Sequence, residues 1–258
     1  MRRRLDHAWR VVATGFCFLV FGLAGLVLRV VLFPPMMLFL REPGRLQRAA
    51  RSVTHHFFRF FVGLMRFVGV LTYELHGVER LGRPGQLVLA NHPTLIDVVF
   101  LISLIPQSDC VVKAALGRNP FTRGPVRATG YITNDGGVAL VEDARRSLAS
   151  GSTLVIFPEG TRTPRDGAVT LQRGAANVAI RCRAPITPVV ITCEPLTLGK
   201  GEKWYKVPPR RVHFTITVHD DIEVQPYLAS GVPEPVAVRR LNAALQSFFE
   251  QESRRASA

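Results

Sequence analysis

Asn91-His92-Pro93-Thr94-Leu95-Ile96-Asp97 is the stretch on which the reading of this chain turns. It follows the apolar run Leu87-Val88-Leu89-Ala90, which reads as a short buried strand. It precedes Val98-Val99-Phe100-Leu101-Ile102, apolar again and helical in character. His92 therefore sits at a strand-to-helix turn, where α/β proteins place reactive groups. Asp97 comes about one and a half helical turns later. A carboxylate there can fold back onto one imidazole nitrogen, fix the tautomer and leave the other nitrogen free to take a proton. Asn91 and Thr94 are candidate caps for the helix start, and Pro93 suits its first turn. Alone, this spacing describes a polar loop before a capped helix as readily as a reactive site.

Two further stretches change the balance. Phe157-Pro158-Glu159-Gly160-Thr161-Arg162 follows a second buried-strand pattern, Thr153-Leu154-Val155-Ile156. Ala184-Pro185-Ile186-Thr187-Pro188-Val189-Val190 comes further on. These three stretches, in this order, resemble the glycerolipid acyltransferase family. That family's first motif reads NHxxxxD, its third FPEGTR, and its fourth is a Pro-rich strand. The resemblance runs from about residue 72 to about residue 220. It implies His92 as general base, Asp97 as its orienter, and direct attack by a lipid hydroxyl on an acyl thioester. It also implies that Glu159, Gly160 and Arg162 bind the glycerol phosphate of the acceptor. Lys113 matches a family lysine that helps hold this phosphate. The expected acceptor is 1-acylglycerol 3-phosphate, acylated at the sn-2 hydroxyl by acyl-CoA or acyl carrier protein, with no metal or other cofactor.

The residue types suit that chemistry. An acyl thioester is already activated, but the hydroxyl proton must leave as oxygen attacks. A His backed by an Asp supplies this, worth roughly 10²–10⁴-fold. The tetrahedral oxyanion needs hydrogen-bond donors. No serine nucleophile is required, and no G-x-S-x-G occurs. Arg162 can grip a phosphate with two parallel bonds, and Gly160 lets backbone approach closely. The second motif departs from the family pattern, approximately G-x-I-F-I-D-R. Here the run is Gly130-Tyr131-Ile132-Thr133-Asn134-Asp135-Gly136, with Gly136 where the family has a phosphate-binding Arg. Arg123 and Arg127 are candidate replacements; otherwise the acceptor is another lipid, such as an ornithine-type or polyene lipid.

The 258 residues carry a formal net charge of +14 and are 47% hydrophobic. Residues 1–51 hold nine Arg against Asp6 and Glu42, so half of the excess charge flanks one long apolar block. That pattern favours an anionic membrane surface over nucleic acid. Val11 to Leu28 carries no charge; Arg29 interrupts, and Val30 to Leu40 is apolar but broken by Pro34-Pro35. This block is read as a membrane segment rather than a signal peptide, either a single span or one that dips in and returns. Between Gln47 and Val70, phenylalanines interleave with Arg51, His55, His56, Arg59 and Arg66, as in an interfacial helix or an amphipathic core helix. His55 and His56 are expected on the polar face.

From Leu71 onward, strands alternate with helices. The expected fold is α/β: a mixed, mostly parallel sheet flanked by helices, with an N-terminal membrane-associated helical segment. The expected division is 1–70 for anchoring helices and 71–258 for an acyltransferase domain, on the membrane with that domain at the cytoplasmic face. A strand segment is expected within 126–133, a Pro-rich surface loop at 200–210, and a final helix at 235–249 followed by a polar tail. Cys17, Cys110, Cys182 and Cys193 form no C-x-x-C pair and read as buried thiols. A non-catalytic lipid-binding protein on the same fold is the competing reading; His92, Asp97, Glu159 and Arg162 argue against it. The expected partners are membrane lipids, a lysophospholipid acceptor and the acyl donor, with no nucleic acid.

Overall fold

The alternating apolar runs between residues 71 and 218 pair into one seven-stranded sheet. The structure is a computed structural model that describes residues 2–119, 122–134, 138–165, 167–228 and 231–256. Its strands are β1 (Leu71–His76), β2 (Leu87–Ala90), β3 (Ser108–Lys113), β4 (Ile132–Asn134), β5 (Thr153–Ile156), β6 (Ile186–Glu194) and β7 (Val212–Val218). The order across the sheet is β1-β7-β6-β2-β5-β3-β4. All neighbours run parallel except β6 and β7. The fold is thus the expected mixed, mostly parallel α/β sheet.

The helices are α1 (Arg2–Val27), α2 (Phe33–Phe39), α3 (Pro43–Phe67), α4 (Asp97–Leu104), α5 (Ala114–Arg118), α6 (Arg123–Thr129), α7 (Val138–Ala149), α8 (Arg173–Cys182) and α9 (Glu234–Ala256). β2 lies at the centre, and all four of its residues are buried. Because side chains alternate along a strand, Leu87 and Leu89 face one core with α7, α8 and α9 residues such as Ala144, Ala176 and Leu241. Val88 and Ala90 face the other with Phe61, Met65, Phe100 and Phe214. A sheet covered on both faces explains why its central strands are continuous apolar runs.

Three expectations are corrected. The first half of the 126–133 segment is the end of α6, and only Ile132–Asn134 forms a strand. Gly130 closes α6 in the left-handed conformation that glycine tolerates, so the strand begins later. The polar tail is helical to Ala256, because α9 carries Arg254 and Arg255 in its last turn, each bonded back to Glu250 or Glu252. His55 does not lie on a polar face: it is buried, with Nδ1 2.8 Å from the Ile102 carbonyl.

α3 joins the core. Its Arg51 is buried, pairs with Asp109 at 2.9 Å, and donates to the Thr129 carbonyl and the Ser152 hydroxyl. Phe61, Val62 and Met65 share a core with Leu71 and Phe100, so packing is continuous across residue 70. Phe60 and Phe67 of the same helix remain exposed.

The N-terminal apolar block runs as helix to Phe39. Pro34 and Pro35 occupy the first turn of α2, and the turn before it, Leu28–Leu32, is π-helical. Prolines without N–H groups are tolerated at a helix start. The wider turn carries the chain into them without a break. Among the described residues, Arg4–Phe39 is the helical stretch long and apolar enough to cross a membrane, and 11% of its most apolar window is buried. Leu5, Trp9, Val12, Phe16, Leu19 and Leu23 are exposed at alternating spacings of four and three, one apolar face of α1. Both ends of the stretch touch the rest of the protein. Trp9 Nε1 donates to the Val68 carbonyl and Arg10 to the Pro209 carbonyl. At the other end Phe33 is buried against Ala50 of α3 and Ala128 of α6.

Candidate active site

The site forms where parallel strands end. His92 follows β2, Lys113 ends β3, Asn134 ends β4, and Gly160 and Arg162 follow β5. All five line one cleft of about 440 Å³. Carboxyl ends of parallel strands are where open α/β sheets bind ligands.

At its centre His92 Nδ1 lies 2.8 Å from Asp97 Oδ2. The His92 side chain is 17% exposed and that of Asp97 fully buried. Asp97 is the first residue of α4 and turns back over the preceding loop. Its Oδ2 also accepts the Thr94 N–H at 2.7 Å, and its Oδ1 accepts the Thr94 hydroxyl at 2.5 Å. Burial pushes the Asp97 carboxyl above the ordinary carboxylate range, against the bonds from His92 and Thr94 that favour the ion. A more basic carboxylate holds the Nδ1 proton more firmly, leaving Nε2 as the nitrogen that can accept one. The imidazole lies on Phe157, ring centres 4.5 Å apart.

The capping roles expected of Asn91 and Thr94 are replaced by other work. Asn91 is buried and pins the end of β2 to β6: its Nδ2 donates to the Ile191 carbonyl at 2.8 Å, and its Oδ1 accepts the Ile191 N–H at 2.7 Å. Thr94 feeds Asp97. Pro93 precedes α4 and is not in its first turn.

Glu159 does not line the cleft. It is 5% exposed, and its Oε1 accepts the His92 main-chain N–H at 2.9 Å and the Thr163 hydroxyl at 2.8 Å. The Thr163 N–H in turn donates to the His92 carbonyl at 2.7 Å. Burial raises the Glu159 carboxyl above its ordinary range. The structure thus places the Glu159 carboxylate beneath His92, where it braces that residue's backbone. A Thr four residues beyond Glu159 was its one trace in the sequence.

Arg162 lines the cleft, but its Nη1 is engaged with the carbonyls of Leu198 and Gly199, both at 2.8 Å. The Leu198 carbonyl also accepts the Leu95 N–H at 3.1 Å. Leu198 sits at φ 54°, a left-handed conformation unusual for leucine. The 196–199 loop thus ties the turn after β2 to the turn after β5, and nothing in its sequence announced this. Gly160 also has a left-handed backbone, φ 66°, which explains glycine there. Neither Arg123 nor Arg127 lines the cleft. Asp135 and Gly136 of the second motif lie outside the described residues.

Cys110 also lines the cleft. Burial and the neighbouring Asp109 push its thiol up to about 12, so it stays protonated at neutral pH and is no nucleophile.

The chain is similar to known proteins in sequence and in fold. The family described as Acyltransferase matches residues 72–192. A 1-acyl-sn-glycerol-3-phosphate acyltransferase of Pseudomonas aeruginosa is 25% identical over 207 residues, 78% of this chain and 76% of that protein. One from Helicobacter pylori is 32% identical over 131 residues, 46% of this chain and 55% of its own length. In fold, the chain is similar to the crystal structure of the 1-acyl-sn-glycerophosphate acyltransferase from Thermotoga maritima: TM-score 0.70, 18% identity, 99% of this chain and 98% of that one.

Proposed function

We propose that this chain is an O-acyltransferase of the acyltransferase family it resembles, and that it moves a fatty acyl group from an acyl thioester to the sn-2 hydroxyl of 1-acylglycerol 3-phosphate. One observation carries the reading. The His92–Asp97 pair stands at a cleft that also holds two cationic side chains, Lys113 and Arg162. A base and a phosphate-sized field of positive charge in one cleft suit a phosphorylated alcohol as acceptor.

The steps follow from the groups present. The acceptor phosphate binds toward Lys113 and the free edge of the Arg162 guanidinium. Its hydroxyl meets His92 Nε2, which removes the proton as the oxygen attacks the thioester carbonyl. Asp97 stabilises the imidazolium that forms. The tetrahedral intermediate collapses, the carbon–sulfur bond breaks, and the departing thiolate takes the proton from Nε2. The products are the ester and a free thiol, and His92 ends as it began.

Lipid acceptors lie at a membrane surface, and the N-terminal helix suits that place. At about 1.5 Å per residue, a 36-residue helix is about 54 Å long, far more than the roughly 30 Å of hydrocarbon in a bilayer. Both its ends contact the catalytic body, so it lies along the surface with its exposed face in one leaflet. The catalytic body then faces the aqueous side, which we assign to the cytoplasm, where acyl-CoA and acyl carrier protein occur.

A second acceptor class is favoured by one observation, Gly136 in place of the second-motif Arg. The deciding experiment uses purified protein, one labelled acyl donor, and a panel of lysophosphatidate, neutral lysolipid and ornithine-type acceptors. Transfer to lysophosphatidate above all others is expected. Preference for an uncharged or amino-acid headgroup would overturn the phosphate assignment.

A further inference from the structure

A second basic site lies away from the catalytic cleft, at the foot of α1. Arg4, His7 and Arg10 of α1 converge with Arg210 and Arg211 on an open cleft of about 690 Å³. These two groups are separated by about 200 positions in sequence, so only the tertiary fold brings them together. Asp6 is the one carboxylate in the lining, and it is already bonded to Arg10 at 2.5 Å. Arg10 is 2% exposed and also donates to the Pro209 carbonyl, which fixes the 207–211 segment against the helix. Among the described residues, no carboxylate pairs with Arg4, Arg210 or Arg211. Three unpaired guanidinium groups at one cleft repel one another unless an anion lies between them.

The surroundings state what kind of anion. Arg211 lies over Gly69, adjacent to Val68, whose carbonyl holds Trp9 Nε1. Trp9 is thereby tied near Arg211, and it shares one exposed apolar face of α1 with Leu5 and Val12, at 56%, 64% and 65% exposure. A Trp and basic residues at the margin of an apolar face are the arrangement found at headgroup depth in a bilayer. A free anion would need no apolar border; a lipid phosphate requires one.

We propose that this cleft binds the phosphate headgroup of an anionic membrane phospholipid, with the acyl chains of that lipid lying along the exposed α1 face. The site is separate from the acceptor site at His92 and holds the catalytic body in one orientation on the leaflet. It does not depend on which acceptor is acylated.

The test measures partition of the full chain between buffer and phosphatidylcholine vesicles, with and without phosphatidylglycerol. R210E/R211E is compared with R239E/R240E, an identical charge change on exposed positions of α9. The first pair should lower partition to anionic vesicles about tenfold or more, and the second by about twofold or less. Equal losses for the two pairs would mean that diffuse net charge, not a site, attracts the membrane. No loss for R210E/R211E would also overturn the proposal. A thermal unfolding midpoint for each variant reports whether it is folded. Should R210E/R211E fail to fold, phenylglyoxal labelling of the wild type decides. In neutral detergent, phosphatidylglycerol should protect the Arg210–Arg211 peptide and leave the Arg239–Arg240 peptide reactive. Inorganic phosphate at the same concentration should protect neither. Protection by inorganic phosphate as strong as by lipid, or no protection by lipid, would sink the headgroup assignment.

Discussion

The carboxylate of Glu159 holds the main-chain N–H of His92 at 2.9 Å, joining two motifs 67 residues apart in sequence. His92 is thus fixed twice, through its ring by Asp97 and through its backbone by Glu159. Glu159→Ala orphans that N–H and the Thr163 hydroxyl, each worth roughly 1–3 kcal/mol when buried without a partner. The expected result is a lower thermal midpoint and a lower kcat, with KM for the acceptor little changed. Glu159→Gln keeps an oxygen in the same place and should retain most of both. A rise in KM with kcat intact would instead make Glu159 a substrate ligand.

His92→Ala should lower turnover by roughly 10²–10⁴-fold while lysolipid binding persists. Asp97→Asn should be nearly as damaging. An amide N–H directed at Nδ1 would move the ring proton to Nε2, the nitrogen that must be free; losses of about 10⁴ follow from such a change in a related dyad. Stability should move the other way. Burial raises the folded-state pKa of Asp97, so the native protein loses stability as pH rises from the ordinary carboxylate range through that raised value. The Asn variant has no charge to bury there. Its unfolding free energy relative to wild type should therefore increase across the mildly acidic range and then level off. Denaturant melts at stepped pH check the sign.

Arg162 has two tasks, the 198–199 loop and the cleft. Charge-assisted hydrogen bonds are worth roughly 1.5–3 kcal/mol each, so Arg162→Ala should cost about tenfold or more in kcat/KM on lysophosphatidate. A neutral lysolipid should lose less, and only what loosening the loop costs. Arg162→Lys should recover part of the activity, since an ammonium cannot reproduce the planar fork. Equal losses on both acceptors would leave Arg162 as a loop clamp alone.

The Cys110 thiol faces the catalytic cleft yet stays protonated at neutral pH. Cys110→Ala should keep most of the activity, and wild-type enzyme should resist iodoacetamide near pH 7. Loss of one activity equivalent with one thiol alkylated would place an acyl-enzyme back in contention.

The exposed α1 face supplies a separate handle on membrane attachment. Val12 and Leu19 are 65% and 59% exposed, so V12D/L19D should leave the thermal midpoint near wild type while releasing the protein from neutral vesicles. Burying each methylene is worth about 0.8 kcal/mol, and the bilayer would have to accept two carboxylates in its place. Undiminished vesicle binding would show that another surface does the anchoring.

The sequence alone determined what local chemistry can specify. Period-two runs such as Val212–Val218 and continuous runs such as Leu87–Ala90 identify strands, because side-chain direction repeats within each element. The His92–Asp97 pairing was legible for the same reason: the partners are five positions apart, and one turn closes the gap. Where the deciding contact spans the chain, the sequence was silent. Arg51 and His55 look like polar-face residues of α3 until Asp109 and the Ile102 carbonyl supply their partners. Glu159 looks like a cleft residue until the His92 N–H, brought beside it by the pairing of β2 with β5, claims its oxygen. Leu198 carries no signal at all, since its role resides in a main-chain carbonyl, held on a left-handed backbone that a leucine does not announce. Polar groups must be satisfied wherever they are buried. Which group satisfies them is decided by the sheet order, and that order exists only in the folded chain.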